Sequence, residues 1–479
     1  MVRDTRSLAR SPENLRALRV SAVDSDPLAG KRLVILGLAR QGKALARFAV
    51  GVGARVTVSD LRPAALLQSS LDELQDLGIE TVLGEHPMSL LDTADVLAIS
   101  GGVPADLPLV VEARRRGLPI TNDALEFARR CPCLMIGVTG SAGKTTTTAL
   151  TGRMAELSGR RTWVGGNIGR PLISDLAAMR PDDLVVMELS SFQLELWDTS
   201  PQVAAVLNVT PNHLDRHQTM EAYTRAKANI LRFQTAGDVA VLSADDPGAF
   251  GLRDGVRGRL RLFSLRRPVA DGAFVQDGAI WLRESQKEQA VCPLEAIQLR
   301  GRHNVLNVLA ATGLAEAADV PLEAIRAAVT TFTGVEHRLE RVGLVNGVHY
   351  VNDSIATAPE RALAALDSFS EPIILLAGGR DKKLEWAEWA RCVRQQVKAV
   401  VLFGELAGLL EEWLTRPELA DLPRPPIVRV DGMAEAVQEA AAIARPGDVV
   451  LLSPGGTSFD AYLDFADRGE QFRQIVRGL

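Results

Sequence analysis

One segment commits this chain to a narrow set of folds: Val138-Thr-Gly140-Ser141-Ala142-Gly143-Lys144-Thr145-Thr146, lodged between an apolar run, Cys133–Val138, and a helical stretch. A glycine-rich turn between a buried strand and a helix start points successive backbone N–H groups at one spot, which is an anion site for a polyphosphate. Lys144 follows as a charge for the β- and γ-phosphate oxygens, and the Thr145 hydroxyl is placed to ligate Mg²⁺. Gly140, Ser141, Ala142, Gly143 and Thr146 complete the expected ATP cradle. The usual spacing would put glycine at 138, where this chain has Val, so the loop is a shortened variant with Gly140 in its place.

Such a loop needs a parallel sheet around it, and the sequence supplies the rhythm for one. Apolar runs alternate with helical patterns in three series, which predicts an α/β chain of three domains. The first series opens with Arg32–Leu36, turns at Gly37 and returns as Arg55–Ser59 ending in Asp60. The second runs from Cys133–Val138 through Leu184–Leu189, Val203–Val209 and Val239–Leu242. Within it, Ala273–Trp281 carries an Asp277-Gly278 turn between alternating apolar residues and predicts a hairpin. The third holds Ile373–Ala377, Ala399–Phe403, Ile427–Val430 and Asp448–Leu452, with an Ala-rich helix over 434–444. The expected division is a polar arm over 1–28, a Rossmann-like domain over 29–130, a central P-loop domain over 131–334 and a second Rossmann-like domain over 335–479.

Composition excludes several function classes. A formal net charge of -5 leaves no basic face for nucleic acid. Cys131, Cys133, Cys292 and Cys392 are too few for a disulfide framework in 479 residues, and no His or second cysteine pair completes four metal ligands around Cys131-Pro132-Cys133. No apolar run is long enough to span a bilayer, and the Arg-, Asp- and Glu-bearing N-terminus has no signal-peptide core. The expectation is a cytoplasmic protein without membrane insertion.

Other strand ends carry candidate chemistry, since ligands in such sheets gather at the carboxyl ends of strands. Glu188 in Met187-Glu-Leu-Ser-Ser-Phe-Gln-Leu194 is placed as a second Mg²⁺ contact, and His213 in Asn208-Val-Thr-Pro-Asn-His213-Leu-Asp215 is a candidate metal ligand. Gly37-Leu-Ala39-Arg-Gln-Gly42, with Asp60 ending the next strand, matches a dinucleotide fingerprint only in part, because Ala39 stands where its middle glycine belongs. A hydride-transfer enzyme and a non-catalytic ATP-binding regulator are the rival classes. The P-loop weighs against the first, and the acidic, His and Lys positions around it against the second.

Taken together, TGSAGKTTT, GGNIG at 165–169, ELSSFQL, NVTPNHLD and GRHNVLN at 301–307 resemble the Mur ligases of peptidoglycan synthesis, in order and in spacing. ELSSFQL resembles the branch that adds D-glutamate to UDP-N-acetylmuramoyl-L-alanine. The resemblance implies ATP-dependent ligation through an acyl phosphate, two Mg²⁺ ions and a monomer acting on UDP-MurNAc-L-Ala and glutamate. It implies that Lys144, His213 and Lys227 are catalytic, that Thr145, Glu188, His213 and Lys227 hold metal, and that CO₂ carbamylates Lys227. Asn304, Asn307, Arg338 and Asp353 would meet the nucleotide. Gly37, Gly42, Asp60, Asn167 and His213 would meet the muramoyl substrate, and Thr357, Lys382, Ser453 and Phe459 the glutamate. The chain departs from the family at Ile355, where many relatives have lysine, at Ser100-Gly101-Gly102, where Ser-Pro-Gly is common, and at Asn212, where Asp is common. Ligation of L-glutamate, or a folylpolyglutamate-synthase-like reaction, are the alternatives.

Overall fold

The structure, a computed structural model, describes residues 26–104, 106–212, 214–382 and 384–479. Most of the expected polar arm and His213 therefore lie outside the described residues. The chain divides into two compact units. The first takes the residues through Val291 with Leu309–Ile325, and the second takes Cys292–Val308 with Arg326–Leu479.

The first unit contains two sheets. Five parallel strands, β1 (Arg32–Leu36), β2 (Arg55–Asp60), β3 (Glu80–Leu83), β4 (Val96–Ile99) and β5 (Ile120–Thr121), lie in the order β3-β2-β1-β4-β5. Leu33–Leu36 of β1 are all buried, as expected for a strand covered on both faces. The helix Arg40–Gly51 presents Leu45, Ala46 and Ala49 to this core, and burial of the Leu45 side chain contributes roughly 1.5–3 kcal/mol.

Nine strands form the second sheet: β6 (Leu134–Thr139), β7 (Thr162–Gly166), β8 (Leu184–Glu188), β9 (Val203–Val206), β10 (Val239–Ser243), β11 (Arg259–Ser264), β12 (Gly272–Gln276), β13 (Ala279–Glu284) and β14 (Lys287–Pro293). Their order is β14-β13-β12-β11-β10-β9-β6-β8-β7. The strand carrying the P-loop thus lies between β8 and β9, and the parallel register sets Val138 beside Glu188 and Thr139 beside Val206. Three strand ends therefore open at one edge. The expected hairpin is present as β12 and β13, paired antiparallel with Phe274 opposite Trp281, and Asp277 and Gly278 both take positive φ at the turn.

The two sheets are tied together. Asn122 caps the helix Asp123–Ala128 through its oxygen and donates its amide to the Gln193 carbonyl at 3.0 Å. Arg130 bridges Asp26 and Glu126, and Arg129 pairs with Glu126 and Asp198. Asp26 and the buried Leu28, which the sequence reading placed in the arm, are thus part of the fold.

The second unit carries β15 (Glu340–Val345), β16 (Val348–Asn352), β17 (Ile373–Gly378), β18 (Val397–Phe403), β19 (Ile427–Arg429) and β20 (Val449–Gly455), ordered β15-β16-β20-β17-β18-β19. Only the β15–β16 pairing is antiparallel. Helices cover both faces, with Trp386 and Trp389 meeting edge to face at 5.4 Å on one side and Phe472 buried on the other.

Candidate active site

The glycines of the P-loop are there for space as much as for conformation. A Cβ on Gly140 would lie 2.9 Å from the Leu207 Cβ, and Gly143 has φ +84° at the start of the helix Lys144–Leu157. Asn208, at the end of β9, holds the loop with its whole amide. Its Oδ1 accepts from the Ala142 N–H at 2.8 Å and its Nδ2 donates to the Ala142 carbonyl at 3.1 Å. The Ser141 hydroxyl meets the Tyr223 hydroxyl at 3.0 Å and donates to the Thr210 carbonyl at 3.0 Å. Lys144 folds back over the loop, with Nζ donating to the carbonyls of Gly140 at 2.9 Å and Ser141 at 3.3 Å.

Three further elements converge on this loop. Glu188 ends β8 and is 2% exposed. Its carboxylate accepts from the Thr145 hydroxyl at 2.8 Å and from Asn167 Nδ2 at 2.9 Å. Gly166 permits that approach, since a Cβ there would stand 2.4 Å from the Glu188 carbonyl. A carboxylate, a hydroxyl and an amide make an oxygen donor set suited to a hard divalent cation, so these residues fit Mg²⁺. From the helix Met220–Arg232, Lys227 Nζ donates to the Gly140 carbonyl at 2.9 Å and lies 4.6 Å from the Tyr223 ring centroid. This lysine is 1% exposed. Burial, and secondarily the charge of Lys144, pull its pKa down to about 6, with Glu188 opposing. Its burial favours the uncharged amine over the ammonium.

A small crevice of about 10 Å³ lies between the β4 end and the segment after β8, lined by Ser100, Gly101, Val103, Asn122, Gln193 and Glu195 together with Phe192 and Arg216. The Arg216 guanidinium lies over the Phe192 ring at 4.4 Å and donates to the Val103 carbonyl at 3.0 Å. His217 stacks on Phe192 at 5.0 Å, bridging Ser191 at 2.9 Å and Glu195 at 3.0 Å.

At the head of the first sheet, Gly37 has φ +96°, and a Cβ on Gly42 would overlap the Gly37 carbonyl at 1.9 Å. Asp60 accepts from the Leu38 N–H at 2.7 Å and from Arg62. Burial raises its pKa, but the Arg62 and amide hydrogen bonds outweigh this and hold it at about 2. Asp60 thus orders the loop between Gly37 and Gly42.

In the second unit, Asn307 Nδ2 donates to Asn304 Oδ1 at 2.9 Å, and Asn304 Nδ2 donates to the Arg300 carbonyl. Asp353 is buried, accepting from the Ser453 hydroxyl at 3.0 Å and from the Leu339 N–H at 3.2 Å. Burial pushes its pKa up to about 7, against the pull of Ser453 and Arg338. Asp353, Ser453 and Arg338 therefore share one locality. Phe459 projects outward, 60% exposed. Lys382 follows β17, and burial, with Arg361 nearby, lowers its pKa. Arg361, in the first turn of the helix Pro359–Leu366, donates to the Ile355 carbonyl at 3.3 Å.

Of the residues expected in the site, the structure gathers Gly140–Thr146, Asn167, Glu188 and Lys227 at one edge, and sets Gly37, Gly42 and Asp60 together at the first sheet. Asn208, Tyr223, Asn122 and Arg216 were not anticipated. Asn208 follows an apolar run as any turn residue can, and all four owe their roles to tertiary pairing.

Three domain families match the chain: Mur ligase MurD-like, N-terminal domain, over residues 31–122; Mur ligase middle domain over 138–315; and Mur ligase, glutamate ligase domain, over 337–456. Among curated relatives, UDP-N-acetylmuramoylalanine--D-glutamate ligase of Symbiobacterium thermophilum is 44% identical, over 94% of this chain and 98% of the relative. The ligase of the same name from Pelotomaculum thermopropionicum is 41% identical with the same coverage. Among solved structures, UDP-N-acetylmuramate-alanine ligase MurC of Thermotoga maritima superposes with a TM-score of 0.58 at 19% identity, over 94% of this chain and 99% of that one. MurF of Acinetobacter baumannii gives 0.56 at 18% identity, over 89% and 86%. These last two speak to the fold alone.

Proposed function

The chain belongs to the Mur ligase family, and from that membership we propose that it joins D-glutamate to UDP-N-acetylmuramoyl-L-alanine with ATP, in the cytoplasmic assembly of peptidoglycan precursors. The observation that carries the reading is the convergence of Glu188, Asn167 and Lys227, from three separate elements, on the phosphate loop. A nucleotide sensor needs the loop; it does not need a buried carboxylate and an uncharged lysine beside it.

In the proposed reaction the alanyl carboxylate attacks the γ-phosphorus of ATP and ADP departs. The amine of D-glutamate then attacks the acyl carbon, phosphate leaves with the electron pair of its C–O bond, and the amine loses a proton. Backbone N–H groups of the loop receive the polyphosphate, and Lys144 exchanges the carbonyls of Gly140 and Ser141 for phosphate oxygens. Glu188 and Thr145 would hold one Mg²⁺, with His213 and Lys227 toward a second; bound there, the metal neutralises phosphoryl charge. An ammonium cannot ligate a cation, whereas the uncharged Lys227 amine can add to CO₂, forming an N–C bond, releasing a proton and gaining anionic oxygens.

Ser100, Gly101 and Phe192, with Asn167, face the muramoyl part of the substrate, and the loop from Gly37 to Gly42, ordered by Asp60, takes its UDP end. Asn304, Asn307, Arg338 and Asp353 serve the nucleotide, and Thr357, Lys382, Ser453 and Phe459 the amino acid. Arg361, which donates to the Ile355 carbonyl and whose charge acts on Lys382, is the candidate cation on this side of the site.

Mg²⁺-dependent phosphate release from ATP, measured with UDP-MurNAc-L-Ala and D-glutamate, L-glutamate or no amino acid, tests this reading. Release with D-glutamate alone is expected. Release with L-glutamate alone, or with neither, would overturn it.

A further inference from the structure

The connection between the two sheets of the first unit holds Cys131-Pro132-Cys133, immediately before β6. The two sulfurs lie 3.7 Å apart, and Cys131 Sγ is also 3.6 Å from the Cys133 carbonyl. A disulfide needs about 2.05 Å, a gap that side-chain rotation can close. The backbone on either side is held. Arg130 is pinned by Asp26 and Glu126, and Leu134 begins a strand paired with β8. Cys133 is 6% exposed and packs into the hydrophobic core, whereas Cys131 is half-buried and open to a small reagent.

We propose that Cys131 and Cys133 are a reversible dithiol–disulfide site, in which Cys131 is the attacking and Cys133 the resolving sulfur. A small-molecule disulfide is the oxidant. The Cys131 thiolate attacks one of its sulfurs, the S–S bond breaks, and one small thiolate leaves. Cys133 then attacks Cys131 Sγ, forming the protein disulfide and expelling the second thiolate. Two protein thiols are oxidised, one small disulfide is reduced, and the two thiol protons end on the released thiols. Electrostatics supports this order. The hydrogen bond from Cys133, outweighing burial, holds the Cys131 thiol below its usual range, while the same contact and burial push Cys133 up. Neither sulfur takes part in the proposed ligation, so the site is independent of it.

The test incubates the folded full-length chain with oxidised glutathione, quenches with acid, denatures, alkylates and maps the peptides by mass. The expected result is loss of alkylation at Cys131 and Cys133 alone, with their peptide lighter by two hydrogens. Cys133→Ser should accumulate the glutathione mixed disulfide on Cys131, and Cys131→Ser should leave Cys133 alkylated. Four alkylated cysteines after oxidant, a wild-type chain arrested at the mixed disulfide, or preferential reaction at Cys292 or Cys392 would each overturn the proposal.

Discussion

Lys227 sits where a lysine is costly: buried, beside the phosphate loop, and near a second lysine. Its immediate sequence context, MEAYTRAKANI, carries no mark of that burial, because the burial of a single helix position depends on what packs over it. The structure places its Nζ against the Gly140 carbonyl, beside the phosphate loop. Lys227→Ala should lose most turnover, with partial rescue by added short-chain carboxylate. The wild type in ¹³C-bicarbonate should show a carbamate carbon resonance that the variant lacks. An unchanged spectrum between the two would remove Lys227 from the metal site. Asp353 presents the opposite case, an acid that burial pushes from the usual 3.8 up to about 7. Between those values the folded chain binds more protons than the unfolded one, so this group's contribution is full below pH ~4 and is lost as pH rises through about 7. The total is on the order of 4 kcal/mol. Asp353→Asn should flatten the fall in unfolding midpoint over that interval, measured by denaturant titration; an unaltered slope would contradict the assignment.

At the scale of elements, periodicity and turn chemistry made much of the architecture legible. The apolar runs of the central and C-terminal series are strands within a few residues of their expected bounds, because strands buried on both faces leave continuous apolar text. Short or half-exposed strands such as β3, whose residues are all exposed or half-buried, left no such trace. Nor did the grip of Asn208 on Ala142, since one asparagine after an apolar run looks like any turn residue. That grip predicts a selective effect. Asn208→Ala removes two hydrogen bonds to the loop, each worth about 0.5–1.5 kcal/mol. The KM for ATP should rise about tenfold with kcat less affected. Steady-state kinetics showing a kcat loss with unchanged KM would mean the contact orders chemistry rather than the loop.

For the molecule as a whole, the fold class and family could be read from motifs spread along the chain, whereas the choice of amino acid rests on groups that local text does not bring together. Ile355 is the clearest instance: read alone, it removes one candidate cation from the cleft. Arg361, in the first turn of the helix Pro359–Leu366, donates to the Ile355 carbonyl and is the cation tested there. Arg361→Ala should raise the KM for D-glutamate about tenfold, roughly 1.4 kcal/mol of binding, while that for ATP stays within twofold. Equal changes in both would point to a structural role. The central claim, that the muramoyl carboxylate is activated by phosphorylation before D-glutamate attacks, is tested most directly with UDP-MurNAc-L-Ala carrying ¹⁸O in its alanyl carboxylate. Mass analysis of the products should find one ¹⁸O in the released phosphate for each amide formed; amide formation with unlabelled phosphate would contradict the account.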